Sequence, residues 1–407
     1  MTAMPSSCQS VGLLVVTLDR LPAWMLSAWG ATWVSTPVID GLASRGVVCD
    51  RLIATSLDPH ITLRRLAGTL AREGDQGPPR QGLLAAAAAA GRAPVLVTDD
   101  PELPALVAGD GVAVVIEPAS VPRRSARKPD ATSLARLFAT AAATLSRGGH
   151  GVVWVHAGSL ASCWDAPEEF RARYIDADDP PPPAGAAVPS LRIDADTDPD
   201  LVVGCRQVFA GQLTLLDSLF GSLLAVVPAG GWSIVLVGIR GMPLGLHGWV
   251  GLPDPPEAEM PYGESIHVPA VVVDGRGRMA GQRYPGLLTH ADLAATLWEC
   301  LGLQPLPAAA DPAGDGHSLG DLFATWSHPQ RDSVVTLAPG GTAVVTPAWQ
   351  FVEEAPRDGA PPRGRLYAKP DDYFELSDVA DRCRGVVAEL EAVVASSRGE
   401  APRRCDV

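Results

Sequence analysis

The sequence predicts an α/β fold: a central, mostly parallel sheet flanked by helices, followed by a small C-terminal α+β part. Three observations predict it. Short β-branched or leucine-rich runs alternate with longer segments of helical character, the pattern of a parallel sheet covered on both faces. Apolar residues make up 47% of the 407 residues, enough material for one large core. From about Asp332 the alternation gives way to short extended pieces and one last helix. These features divide the chain into an α/β domain over residues 1–330 and a C-terminal subdomain over 331–407.

In chain order, compact apolar runs predict strands over 12–17, 94–97, 112–116, 151–156, 233–237 and 268–273. Helices are expected over 35–45, 82–91, 133–147, 199–227 and 290–301. The second of these is a run of alanines, the best helix formers, stopped by Gly91. SVVTLA, TAVVTP and AWQFVEE then predict a small antiparallel sheet, and 381–396 a closing helix. Two proline-rich stretches, 177–190 and 354–365, read as surface excursions or linkers.

A formal net charge of −14 repels polyanions, which excludes nonspecific partnership with nucleic acid or with an anionic membrane surface. Arg123, Arg124, Arg127 and Lys128 form a local basic group, read as a solvated loop. The cysteines, at 8, 49, 163, 205, 300, 383 and 405, are odd in number and lack metal-type spacing, which suits a reducing compartment with most of them buried as small apolar residues. No stretch approaches the ~20 apolar residues that span a bilayer, and the first apolar run lacks a basic flank. A cytoplasmic location is the expectation.

Chemistry in open α/β sheets collects at the carboxyl ends of strands. After the first strand the sequence reads LLVVTLDRLPAWMLSAWGATWVSTPVIDGLASRG, with Thr36, Pro37, Ile39, Asp40, Leu42, Ala43 and Gly46 at fixed spacing. WVHAGSLASCWDAPEEFRARY, FAGQLTLLDSLFGSLL, IVLVGIRGMPLGLHG, YGESIHVPAVVV, THADLAATLWECLGL, GDGHSLGDL and KPDDYFELSDVADRC follow in order. This collinear succession, spanning nearly the whole chain, resembles the sulfatase branch of the alkaline phosphatase superfamily. The resemblance implies that superfamily's fold, hydrolysis of sulfuric esters, a calcium or magnesium ion, and a formylglycine made from cysteine or serine.

Residue by residue, the implied site is incomplete. Where the family carries an acidic pair stand Asp19 and Arg20, and where it carries Ser-Asp-His or Ser-Asp-Asn stand Gly238, Ile239 and Arg240. Only Asp19 remains as a metal ligand, so no cofactor is expected, since a hard dication needs several anionic oxygens to replace its water. The nucleophile motif falls in ATSLDPHITLRRLAGTL. Aligned on Pro59, Leu57 takes the nucleophile position; aligned on Arg64, His60 does. Neither can become formylglycine, and Ser56 reads as a loop serine. The family's Gly-Lys-Trp-His element corresponds to Thr98, Asp99, Asp100 and Pro101, and a loop histidine corresponds to Ala161, while His156 survives at a strand end. No lysine stands in 257–260, where the family has one, and the retained His247 serves a turn or chemistry.

These replacements compensate one another. A buried carboxylate that loses its cation costs several kcal/mol, so Arg240, with Arg20 as a second candidate, is expected to form a bidentate pair with Asp19 or Asp99; the alternative is that both arginines face solvent. The functional expectation is a non-catalytic homologue that binds either a small anion on Arg20, Arg240 and His156 or a protein partner. The alternative is an active sulfate or phosphate ester hydrolase with a rearranged site. Trp24, Trp29 and Trp33 are either core anchors or an exposed partner surface.

Overall fold

The computed structural model describes residues 12–70, 81–303, 316–325, 331–356 and 362–399. Cys8, Cys405, residues 314 and 315 of GDGHSLGDL and residues 357–361 of the second proline-rich stretch lie outside the described residues.

Ten strands belong to the first two sheets: β1 (Gly12–Leu18), β2 (Val47–Ile53), β3 (Pro94–Thr98), β4 (Ala113–Ile116), β5 (Val152–Ala157), β6 (Ser190–Arg192), β7 (Trp232–Gly238), β8 (Trp249–Gly251), β9 (His267–Val273) and β10 (Gln282–Leu288). Eight of them form the central sheet, in the order β10-β2-β9-β7-β1-β5-β3-β4. All its pairings are parallel except those of β9, which runs antiparallel to β2 and β7. Strands β6 and β8 form a separate short antiparallel pair.

Strand β1 shows why the sheet is covered twice. Its residues alternate between faces: Leu14, Val16 and Leu18 pack in one layer with Phe138 and Phe209, whereas Leu13 and Val15 pack in the other with Leu63, Leu84 and Leu297. Both layers are buried, so the strand reads as one apolar run. Each large side chain taken fully from water contributes about 1.5–3 kcal/mol. The helices Ser133–Arg147 and Pro199–Leu224 carry the first layer, and Pro59–Ala67, Leu83–Ala89 and His290–Leu301 the second.

The six expected strands are present to within a residue at their ends, but β2 and β10 were not foreseen. Strand β2 is interrupted by Asp50 and Arg51, which are half-buried; β10, at the sheet's edge, contains Pro285 and Gly286 where its register shifts. The C-terminal part is an antiparallel sheet, β11 (Val334–Ala338), β12 (Gly341–Val345), β13 (Trp349–Glu354) and β14 (Gly364–Ala368), followed by the helix Arg384–Ser397. The second proline-rich stretch therefore joins two paired strands. The first is tied down rather than free: Arg171, itself buried, donates to the carbonyls of Pro183 and Gly185.

Strand β11 also docks on the central domain. Thr336 Oγ1 donates to the Ala54 carbonyl at 2.7 Å, and Leu337 N to the Thr55 carbonyl at 3.1 Å. That contact fixes the backbone just before Leu57. Among the described residues no helix is long and apolar enough to cross a membrane. Cys49, Cys163, Cys205 and Cys300 are buried free thiols, and Cys383 is half-buried.

Candidate functional site

Strands β1, β3, β5 and β7 are parallel neighbours, so the residues that follow them meet at one end of the sheet. Asp19 follows β1, Asp99 follows β3, and Ile239 and Arg240 follow β7, while His156 is the last residue but one of β5. Asp19, Asp99, Asp100 and His156 line a pocket of about 220 Å3, together with Pro59, Gly158 and Ser159.

Arg240 grips Asp19 with a two-pronged fork: Nε donates to Oδ1 at 2.9 Å and Nη2 to Oδ2 at 3.1 Å. Its third group, Nη1, donates to the Leu57 carbonyl at 2.7 Å. The bidentate pair expected from the sequence is therefore formed, and on Asp19 rather than Asp99. Arg20 turns the other way, to a residue the sequence reading passed over. Both its Nη atoms donate to Glu259, Nη2 to Oε2 at 3.0 Å, and Glu259 also stands 4.0 Å from Arg240 Nη1. The result is an alternating chain, Asp19, Arg240, Glu259, Arg20, in which Asp19 and Arg20 are each 3% exposed. Burial by itself would raise the Asp19 pKa, but the charge and hydrogen bonds of Arg240, helped by Arg20, hold the carboxyl below its usual range.

Arg20 has φ 61°, a left-handed conformation that a non-glycine side chain adopts at a cost of ~1–3 kcal/mol. The Glu259 pair holds it there. The signal for Glu259 was present in the sequence: the stretch that should have carried a lysine carries acids instead, and a buried cation elsewhere needed one of them.

On the other side of the pocket Asp99 accepts hydrogen bonds from the backbone of Gly158 at 2.6 Å and Ser159 at 3.0 Å. Burial nevertheless raises its pKa, against the opposing charge of His156 and those N–H groups. His156, 2% exposed, meets Thr17 Oγ1 through Nδ1 at 2.9 Å, and burial depresses its pKa despite Asp99 and Asp19.

The segment expected to carry the nucleophile forms a turn and then a helix. Asp58 caps the helix Pro59–Ala67 by accepting from His60 N and Ile61 N, and Pro59 takes the first helical position. Leu57, buried, then lies against Arg240 through its carbonyl. Ser56 Oγ accepts from Asp58 N at 3.1 Å, which makes it a turn serine. His60 points to the pocket rim, where Nε2 meets Asp100 Oδ2 at 2.8 Å. Arg64 does not join the site; it borders a different hollow with Thr69 and Leu106, while Arg65 reaches in to Thr55. Ile239 is fully buried in the core. His247 also lies apart from the Asp19 pocket, stacked on Tyr262 with centroids 3.9 Å apart and held between Glu264 and Glu375. Of the tryptophans, Trp29 is buried, Trp24 half-buried and Trp33 43% exposed against Tyr174.

No protein-family model matches the sequence, and no curated protein does. Solved structures do match. A phosphonate monoester hydrolase of Agrobacterium radiobacter superposes with a TM-score of 0.72 at 19% identity, covering 95% of both chains. A phosphonate monoester hydrolase from Silicibacter pomeroyi gives 0.70 at 17% identity, over 95% of both chains. A 2-O GAG sulfatase gives 0.69 at 16% identity, over 95% of this chain and 92% of the other.

These neighbours overturn the expectation that no cofactor is involved, because they come from a family that uses calcium or magnesium and formylglycine. In the arrangement described, the residues at Asp19 fit a guanidinium and not a divalent ion, since both carboxylate oxygens are taken by Arg240. Any cation seated on Asp19 must first displace that arginine. What the superposition and the ordered motifs together establish is the fold: this chain is built as the sulfatases and phosphonate monoester hydrolases of the alkaline phosphatase superfamily are built.

Proposed function

We propose that this sulfatase-fold chain works by binding rather than by hydrolysis, with the former reaction centre turned into a fixed ionic lock. The observation that carries this reading is the Arg240 fork on Asp19 with a further contact on Leu57, which takes the nucleophile position when the family motif is aligned on Pro59. A leucine side chain has no heteroatom to attack an ester or to become an aldehyde. Arg20 and Arg240 spend their charge on Glu259 and Asp19, and the open pocket beside them presents Asp99 and Asp100. A cationic group or a protein partner therefore suits this pocket better than the small anion expected on Arg20, Arg240 and His156.

The test is turnover of aryl sulfate, aryl phosphate and aryl phosphonate esters by the purified chain with calcium or magnesium added. Wild type and Asp19→Ala should both match the protein-free rate. Turnover that Asp19→Ala abolishes overturns the binding reading. One observation favours the rearranged hydrolase: the His60–Asp100 pair at the pocket rim, placed as an oriented base would be. Under that second reading, turnover is lost in His60→Gln.

A further inference from the structure

A second cavity, of about 410 Å3, lies where the central sheet meets the C-terminal sheet, and it shares no lining residue with the Asp19 pocket. Its size is that of a small-molecule site. One wall is aromatic: Trp24 and Trp29 from the segment after β1, and Tyr373 and Phe374 from the segment after β14. Phe374 stands edge-on to both Trp24 and Tyr373, with centroids 5.9 and 5.1 Å apart, so the rings form a braced wall rather than loose side chains.

The charged groups in the lining are matched, with one exception. Asp50 pairs with Arg283 at 2.6 Å and Glu375 with Lys369 at 2.9 Å. Glu264 accepts from the backbone N–H groups of Leu244, Leu246 and His247. His267 is pushed down to about 4 by burial and is neutral at physiological pH. Arg51 remains. Its Nη2 and Nη1 donate to the carbonyls of Thr346 and Pro347, at 2.6 and 3.1 Å, and among the described residues no carboxylate lies within ion-pair distance. Two of its five N–H groups are used, which leaves three donors and a full positive charge in a half-buried wall. Such a charge is stabilised by an anion that brings its own apolar body.

We propose that this cavity binds a small organic carboxylate with a planar aromatic body, its head on Arg51 and its ring against Trp24, Trp29, Tyr373 and Phe374. The proposal does not rest on the reading of the Asp19 pocket. It gives Trp24 and Trp29 a role that neither a core anchor nor a protein interface supplies, and it moves the anion site from the strand ends, where both arginines are neutralised, to the seam between the sheets.

The test is calorimetry on the full chain with two probes of one shape, 1-naphthoate and 1-naphthalenemethanol. The wild-type chain should bind the carboxylate roughly tenfold or more tightly than the alcohol, the scale of one charge-assisted hydrogen-bonded pair. Arg51→Gln should erase that preference, and Trp24→Ala should weaken both probes. Equal affinity of the wild type for the two probes, or no binding of naphthoate, overturns the proposal, and neither result needs a variant that folds. A preference that survives in Arg51→Gln at an unchanged unfolding midpoint overturns it as well. Ester turnover reads the Asp19 pocket and calorimetry with Arg51→Gln reads the cavity, so the two readings fail separately.

Discussion

Two buried charge clusters flank the turn that follows β7, and they are built from different cations. At the strand ends, Asp19 and Glu259 are held by Arg240 and Arg20. At the seam, Glu264 and Glu375 are held by His247 and Lys369. Each cluster contains one non-glycine residue in the left-handed region, Arg20 at φ 61° and Glu375 at φ 58°, and in each the strained residue's side chain is fixed by hydrogen bonds. The difference lies in the cation. A guanidinium stays charged at every pH a protein meets, whereas an imidazolium can lose its proton. The first cluster is a permanent lock and the second responds to pH.

The largest effect should come from opening the permanent lock. Arg240→Ala leaves the Asp19 carboxylate buried without its partner, and urea denaturation should show a loss of about 3–5 kcal/mol. Adding Asp19→Asn should return most of it. If Arg240→Ala alone costs less than ~1 kcal/mol, the pair is not the constraint described here.

A smaller effect should separate the clusters by pH. Burial by itself depresses the His247 pKa, but the hydrogen bond and charge of Glu264 and the charge of Glu375 outweigh it and hold the group above its ordinary 6.5. The folded chain then keeps that proton more tightly than the unfolded chain. Its stabilisation is complete below pH 6.5 and is lost as pH rises through the folded value. Asp19 has the opposite sign: its pKa is depressed, so its contribution is present above 3.8 and is lost as pH falls through the folded value. His156, His267 and His290 are depressed by burial, and they destabilise the fold only on the acid side. Between about pH 6.5 and 8, the stability of wild type relative to His247→Gln should fall as pH rises, because the three depressed histidines contribute equally to both chains. Parallel profiles would remove His247 from the comparison.

The smallest effect belongs to Arg64, which touches neither cluster. Arg64→Ala should change stability by no more than about 0.5 kcal/mol in the same denaturation experiment.

The central-sheet strands legible in the sequence are those that keep an unbroken apolar run: β1, β3, β5, β7 and β9 are largely buried, and β4 keeps its run at the exposed edge of the sheet. Strand β2 hid behind Asp50 and Arg51, whose side chains turn to Arg283 and to the carbonyls of Thr346 and Pro347 in the turn between β12 and β13. Strand β10 hid behind Pro285 and Gly286. In the site, Asp19 and Arg240 could be paired on paper because the family pattern places both at strand ends and an unpaired buried carboxylate is costly. Glu259 could not be chosen from its neighbours, since Glu257 and Glu259 are equivalent in sequence and only the folded loop brings one of them to Arg20.

By itself the sequence determined the layered α/β architecture and the order of the motifs, because these depend on local apolar periodicity and on which side chain occupies each position. Tertiary structure alone decided which carboxylate each arginine meets, that Leu57 rather than His60 lies against Arg240, and that Arg51 faces an aromatic cavity without a counter-ion. Those outcomes depend on distances of a few ångströms between segments up to 300 residues apart in the chain, such as Arg51 and Thr346, which are 295 apart. Local sequence carries no record of separations that only the packed core imposes.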